Sequence, residues 1–318
     1  MEAVFECLST RLFPKNQGVD AYLITGIAAR CDWVVLTDTQ PPMKTMRRNV
    51  DTGHPRHIFL SLRVPALAIR YFVEQVLQGL SKPFVLVSGS EDATVPHQID
   101  QRWKAFDEST QLLIKTILEH PLLLHWVAEN LDDASHPKMS PLPLGMVFPN
   151  NQTHNVPIPA VVPLQERPLR ILCAHRVRSG AQWEIRRNVT RLAKTVWQPW
   201  CTVPEDEVSE AGFVKLMNQH AFVLCVEGGG VDPSPKAWQA ILHGAIPIIR
   251  KTGVVDAYNR LPVVSIPDWQ AQHITREKLC HWLEEMSSAQ AIQEKRAQII
   301  ERLGIDYWWR QIEALTDR

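Results

Sequence analysis

The sequence lacks most of the features that would commit a chain early to one class of function. Its 318 residues carry no charge excess, because 34 Lys and Arg balance 34 Asp and Glu. The basic field that usually marks a nucleic-acid binder is missing, so nucleic acid is not an expected partner. Six cysteines (Cys7, Cys31, Cys173, Cys201, Cys225 and Cys280) form no C-x-x-C pair or other metal-ligand spacing. Cys173 and Cys225 lie in apolar runs and read as small core residues. This usage suits a reducing compartment. No run approaches the ~18–20 apolar residues that span a bilayer. The opening MEAVFECLSTRLFPK lacks the basic start, apolar stretch and small-residue cleavage site of a secretory signal. A cytoplasmic location is therefore expected, with any membrane association peripheral. There is no internal repeat and no low-complexity segment.

What is present is an ordinary globular composition, 45% hydrophobic and 21% charged, long enough for about two domains. The first half alternates apolar strand-like runs (WVVLTD, RHIFLSL, PFVLVSG) with helical spacing over 64–80 and again in STQLLIKTILEH. A polar and then proline-rich stretch, 150–168, follows; the sequon Asn151-Gln152-Thr153 within it reads as chance. The alternation restarts with LRILCAH, a helix capped by Ser179, and another over VPEDEVSEAGFVKLMNQ. The strands AFVLCVE, AIPIIR and LPVVSI and a helix capped by Thr275 complete it. Alternating strands and helices predict parallel sheets covered by helices. The expected domains are 1–155, a linker at 156–168, 169–290, and a helical tail at 291–318 that breaks near Gly304-Ile305-Asp306.

The most informative run is FVLCVEGGGVDPSPKAWQAILHGAIPIIR, from Phe222 to Arg250. A strand delivers Gly228, Gly229 and Gly230 to its carboxyl end, where open α/β sheets bind ligands. Glycines permit positive φ and close backbone approach, and the N–H groups opening the next helix suit a phosphate. Ser234 is placed to cap that helix, Pro235 suits its first position, and Lys236 is placed to meet diphosphate charge. The alternative is a Gly-Pro turn with no ligand. The run is neither a G-x-G-x-x-G fingerprint nor a P-loop.

EGGGVDPSPKAWQAILHGAIPII resembles the donor-site segment of exostosin-like glycosyltransferases. Weaker likenesses follow in the family's order: FVLVSGSEDATVP (84–96), HWVAENLDDASHPKMSPLPLGM (125–146) and LPVVSIPDW (261–269). The resemblance implies a GT-B fold, α/β, with two Rossmann-like domains of parallel sheet facing an interdomain cleft. It implies transfer of a sugar from a nucleotide-diphosphate sugar to a glycan or lipid-linked saccharide, with inversion favoured and with no metal or cofactor. The donor would sit mainly on the second domain and the acceptor on the first. On that reading the base that takes the acceptor proton is Asp92, with Glu91 and Asp38 as alternatives, each of which is otherwise a turn or capping acid. Donor contacts fall to Arg186 or Arg187, His175, Glu227, Gly228, Gly229, Gly230, Asp232, Ser234, Lys236 and Gln239. Gln239 departs from the family, which often has an acid here to hold the ribose hydroxyls; Glu227 and Asp232 are nearby carboxylates suited to share that role. The departure keeps a nucleotide-sugar-binding pseudoenzyme open, and another diphosphate-ligand α/β enzyme, such as a sugar epimerase, stands beside it. Trp126, Trp183 and Trp238 are stacking platforms or core residues; for Trp238 core is expected, as it is for His125.

Overall fold

A computed structural model describes residues 3–13, 22–39, 42–149, 153–290 and 293–317. The sequon residues Asn151 and Gln152, and the first two residues of the expected tail, lie outside them. The chain is mixed α/β, with parallel-strand sheets and several helices, compatible with Rossmann-like units. In order it runs β1 (Val4–Glu6), α1 (Gly26–Arg30), β2 (Trp33–Thr39), β3 (Pro42–Arg48), β4 (His57–Ser61), α2 (Pro65–Tyr71), β5 (Phe84–Gly89), α3 (Glu108–Glu119), β6 (Leu123–Ala128), β7 (Met139–Pro141) and β8 (Asn155–Pro157). The second half follows as β9 (Ile171–Leu172), α4 (Glu184–Lys194), β10 (Cys201–Thr202), α5 (Glu210–Met217), β11 (Phe222–Leu224), α6 (Pro235–Leu242), β12 (Ile246–Arg250), β13 (Val264–Ile266), α7 (Arg276–Gln290), α8 (Gln293–Leu303) and α9 (Ile305–Glu313). Among the described residues, no helix is long and apolar enough to cross a membrane.

Two compact units divide the chain. The N-terminal unit holds Glu6–Val156, Gly229–Asp232 and Gly304–Arg318; the C-terminal unit holds Met1–Phe5, Pro157–Gly228 and Pro233–Leu303. Chain order and unit membership therefore differ from the simple sequence division, in Met1–Phe5, in Gly229–Asp232, in the tail and in the proline-rich segment. Residues 304–318 of the expected tail fold with the first half, where the Trp309 ring lies 4.7 Å from that of His57 and Asp306 pairs with Arg30. The proline-rich segment is built into the C-terminal unit: Leu164 is 1% exposed within the core of that unit.

The N-terminal sheet runs β3-β2-β4-β5-β6-β7. From β2 to β7 every neighbour is parallel and follows the last in chain order. The edge strand β3 is antiparallel to β2, a pairing the sequence did not signal. β4 and β5 are buried along their whole length, as expected of parallel strands covered on both faces. α3 is fixed by Asp107, whose carboxylate accepts the Thr110 N–H at 2.8 Å.

The C-terminal sheet runs β10-β9-β11-β12-β13, all parallel. In the unit's own order this is 2-1-3-4-5, so the winding reverses between β9 and β11. A crevice opens at such a reversal because the chain leaves the two central strands in opposite directions. Helix starts correct the sequence: α4 begins at Glu184 after a 3-10 turn, not at a Ser179 cap, and α5 begins only at Glu210, within the run VPEDEVSEAGFVKLMNQ. Thr275 does cap, accepting the Lys278 N–H at 3.4 Å.

Candidate functional site

The C-terminal unit carries a cavity of about 520 Å³ at the carboxyl ends of β9 and β10. Its walls come from 173–178 after β9, from 203–208 after β10, from Thr190 and Lys194 of α4, Phe213 of α5, and Lys236 and Gln239 of α6. It therefore sits at the reversal of the sheet, where a ligand crevice belongs. Of the donor residues expected from sequence, His175, Lys236 and Gln239 meet here.

Lys236 is the charge that stands out. Burial and then the nearby Arg186 push its ammonium below the ordinary lysine value. Its Nζ lies 5.8 Å from the Phe213 ring, and among the described residues no carboxylate forms an ion pair with it. A half-buried cation in no ion pair, with Glu207 the nearby acid that acts on it, is what an anion site presents before its ligand arrives. Arg176 and Arg178 add charge to the same wall, with Arg176 paired to Glu207. Glu205, Asp206 and Glu207, all exposed, also line the cavity.

His175 lines the cavity while its Nε2 donates to the Arg186 carbonyl at 3.1 Å, which leaves Nδ1 as the acceptor. Burial and Arg186 drive its pKa to about 4, so the ring is neutral at pH 7. Arg186 is buried and faces its own backbone. Its guanidinium donates to the carbonyls of Val226, Glu227 and Arg176 and lies 4.9 Å from the Trp183 ring. It ties the segment after β9 to the segment after β11, and a Cβ at Gly228 would come 2.6 Å from it. Arg187 is exposed and donates to the carbonyls of Arg178 and Gly180, closing the turn before α4.

Other expected donor residues lie away from the cavity wall. Glu227 is buried, paired with Arg250, and accepts the Trp269 indole N–H at 2.9 Å. Its carboxylate closes the sheet from β11 to β13 and is not among the groups lining the cavity. Ser234 stands at the N-cap of α6 with φ 79° but makes no side-chain cap hydrogen bond. Trp238 is core: 1% exposed, edge-on to Tyr258, its indole donating to the Leu303 carbonyl.

Gly229, Gly230 and Asp232 belong to the N-terminal unit. The Asn130 side-chain oxygen accepts the N–H groups of Val231 and Asp232 at 2.9 and 3.0 Å. Asp100 accepts the N–H of Gly230, and Asp232 accepts the N–H of Leu144 at 3.1 Å. A Cβ at Gly229 would overlap the Arg102 guanidinium, and one at Gly230 would overlap the Asn130 amide. The glycines thus serve close approach, and the groups that approach Gly229 and Gly230 are the protein's own side chains, where the sequence reading expected a ligand.

At the carboxyl edge of the N-terminal sheet the three candidate bases come together in one ionic chain. Tyr22 donates to Asp38, which accepts from Arg63 Nε at 3.1 Å; Arg63 reaches Glu91 at 3.9 Å; Glu91 pairs with Arg11 at 3.4 Å. Arg11 pairs with Asp92, Asp92 with Arg102, and Arg102 with Asp100 at 3.3 Å. Burial pushes the Asp92 carboxyl up, but Arg11 and Arg102 outweigh it and hold it below the ordinary value. Beneath lies Glu129, fully buried, accepting from Thr10 at 2.6 Å, Ser90 N–H at 2.9 Å and Asn130 at 3.2 Å, with Arg11 at 3.0 Å. Burial raises its pKa to about 7 against these donors. Ser90 and Asn130, just past the ends of β5 and β6, have φ of 78° and 53°, strain of the kind that clusters at functional sites. Sequence reasoning missed Arg11, Arg63, Arg102 and Glu129: the partners of Arg11 and Arg63 and the Thr10 partner of Glu129 are 25 to 119 residues away, and no spacing rule marks the network.

Among the described residues, no group of three or more His, Cys, Asp or Glu is placed to hold a metal. Comparison with protein-family models and with curated proteins finds no match to the chain.

Proposed function

We propose that the chain is a glycosyltransferase that takes its sugar from a nucleotide-diphosphate donor, in the GT-B arrangement that its glycine-rich segment suggests. One observation carries the reading: the cavity at the reversal of the C-terminal sheet, walled by Lys236, whose ammonium lacks a carboxylate partner among the described residues. Its volume of about 520 Å³ falls in the range of small-molecule sites. In this reading Lys236, with Arg176 or Arg178, meets the diphosphate and carries the charge that builds on it as the sugar–oxygen bond breaks. Gln239 and the 205–207 carboxylates face the nucleoside. An acceptor hydroxyl attacks the anomeric carbon and gives its proton to a carboxylate of the N-terminal edge, Asp92 first, then Glu91 or Asp38.

A second reading is favoured by Asp92 itself. A carboxylate held between two guanidiniums is a weak base, which suits a donor-binding protein that does not turn over. One experiment separates the readings. Calorimetric titration with UDP, GDP, dTDP and CMP, followed by nucleotide release from the matching sugar donors with and without saccharide acceptors, gives binding with release for an enzyme. Binding without release under every acceptor supports the second reading. No nucleotide binding overturns both.

A further inference from the structure

A second cavity, of about 320 Å³, lies elsewhere in the C-terminal unit. Its walls are Val161, Val162, Leu164, Gly244 and Ile299, with Arg296 as the charged group. The segment 161–165 is held in place by Arg167, a buried residue whose guanidinium donates to the carbonyls of Val162, Met217 and His243. Gly244 opens the floor. It has φ +73°, and a Cβ there would come 3.1 Å from Val161 and 3.0 Å from Arg167.

Arg296 donates to the carbonyls of Ile241 and Leu242 at the end of α6, so its charge and that of Arg167 both rest on one helix C-terminus. Those two bonds use two of its five N–H groups. Among the described residues, no carboxylate pairs with either arginine. Burial lowers both pKa values to about 10, and Arg296 adds to the effect on Arg167. A mostly apolar pocket with one under-used cation at its wall, and Gln165 as the other polar side chain, has the make-up of a ligand site: a large apolar lining and few orienting polar groups.

We infer that this pocket binds a small amphipathic carboxylate, its apolar body among Val161, Val162, Leu164 and Ile299 and its head on Arg296. A cavity of ~150 Å³ takes a benzene ring, so one of 320 Å³ takes roughly twelve non-hydrogen atoms, the size of decanoate. The site is independent of the nucleotide cavity, and its ligand is of another class.

The test is calorimetric titration of the full chain with decanoate and with decan-1-ol, below their aggregation concentrations. Decanoate binds, and the alcohol binds at least tenfold more weakly. Val162→Trp fills the pocket from its exposed rim, leaves the arginine cap intact and abolishes decanoate binding in a chain whose circular dichroism is unchanged. Arg296→Gln brings decanoate to the level of the alcohol. Equal binding of acid and alcohol, undiminished binding by the Val162→Trp chain, or no binding of either probe overturns the inference.

Discussion

The two sheets end in the same way and are finished differently. Each presents polar residues at the carboxyl ends of parallel strands. In the N-terminal unit those residues are matched to one another: Asp38, Glu91, Asp92 and Glu129 all have arginine partners, and the glycine-rich tetrapeptide 229–232 is bound by Asn130 and Asp100. In the C-terminal unit the cavity wall keeps a cation unmatched. Topology supplies a reason. The N-terminal strands from β2 to β7 are added in one direction, so no crevice arises from a reversal; the C-terminal order turns back between β9 and β11. Charge at a strand end thus marks a site only where its partner is missing.

The comparison can be broken at its strongest point. If the N-terminal network is a matched structure, Arg11→Met strands Glu129 in the interior and costs about 3–5 kcal/mol, read by chemical denaturation. A loss under 1 kcal/mol would mean that the network is solvated and not matched.

Acid should move the two units in opposite senses. His175 has a folded pKa near 4 against an ordinary 6.5, so the stability it favours is present above pH 6.5 and is lost as pH falls toward 4. Glu129 has a folded pKa near 7 against 4.5, so its favoured stability is present below pH 4.5 and is lost as pH rises through 7. Each difference corresponds to about 3 kcal/mol at most. His175→Asn should flatten the loss on acidification, and Glu129→Gln should remove a slope of the other sign, in denaturation curves taken from pH 4 to 7.5.

Lys236→Met sharpens the contrast further. Nucleoside-diphosphate affinity should fall by about 10–100-fold in calorimetry, the worth of a charged hydrogen bond. Stability should hold or rise, because an uncompensated buried cation has gone. A matched ion pair would show the reverse. The smallest effect is a comparison of glycines. Gly230→Ala should cost about 1–3 kcal/mol, because its φ is +66° and a Cβ meets Asn130. Gly53→Ala, with nothing near its Cβ, should stay within about 0.5 kcal/mol in the same denaturation assay.

These contrasts also show what the sequence could and could not convey. The buried runs of β2, β4 and β5, the break at Gly304 and the strand–glycine–helix unit around α6 were legible, because each is a local pattern of burial or backbone freedom. β3 was not: PMKTMRR has neither alternation nor an apolar run, and it is a strand because β2 offers it a partner. Of the eleven donor contacts read from the sequence, His175, Lys236 and Gln239 line one cavity, because they follow strands of one sheet. The glycines were read as places where a ligand approaches the backbone, and nothing local tells that Asn130 and Arg102 fill the space. Glu227 looks like a ligand contact until Arg250 and Trp269 are seen to hold it.

The membership of Gly229–Asp232 and α9 in the N-terminal unit has a consequence for biosynthesis. A domain made only of early residues folds while the rest of the chain is still on the ribosome. This one must wait. Until residues 229–232 emerge, Asn130 holds a left-handed backbone with no N–H groups to receive, and until α9 emerges His57 has no Trp309 beside it. The first unit is completed last, so a nascent chain stalled after Val156 would offer its strands to chaperones and proteases, and the two halves expressed separately should not each be native.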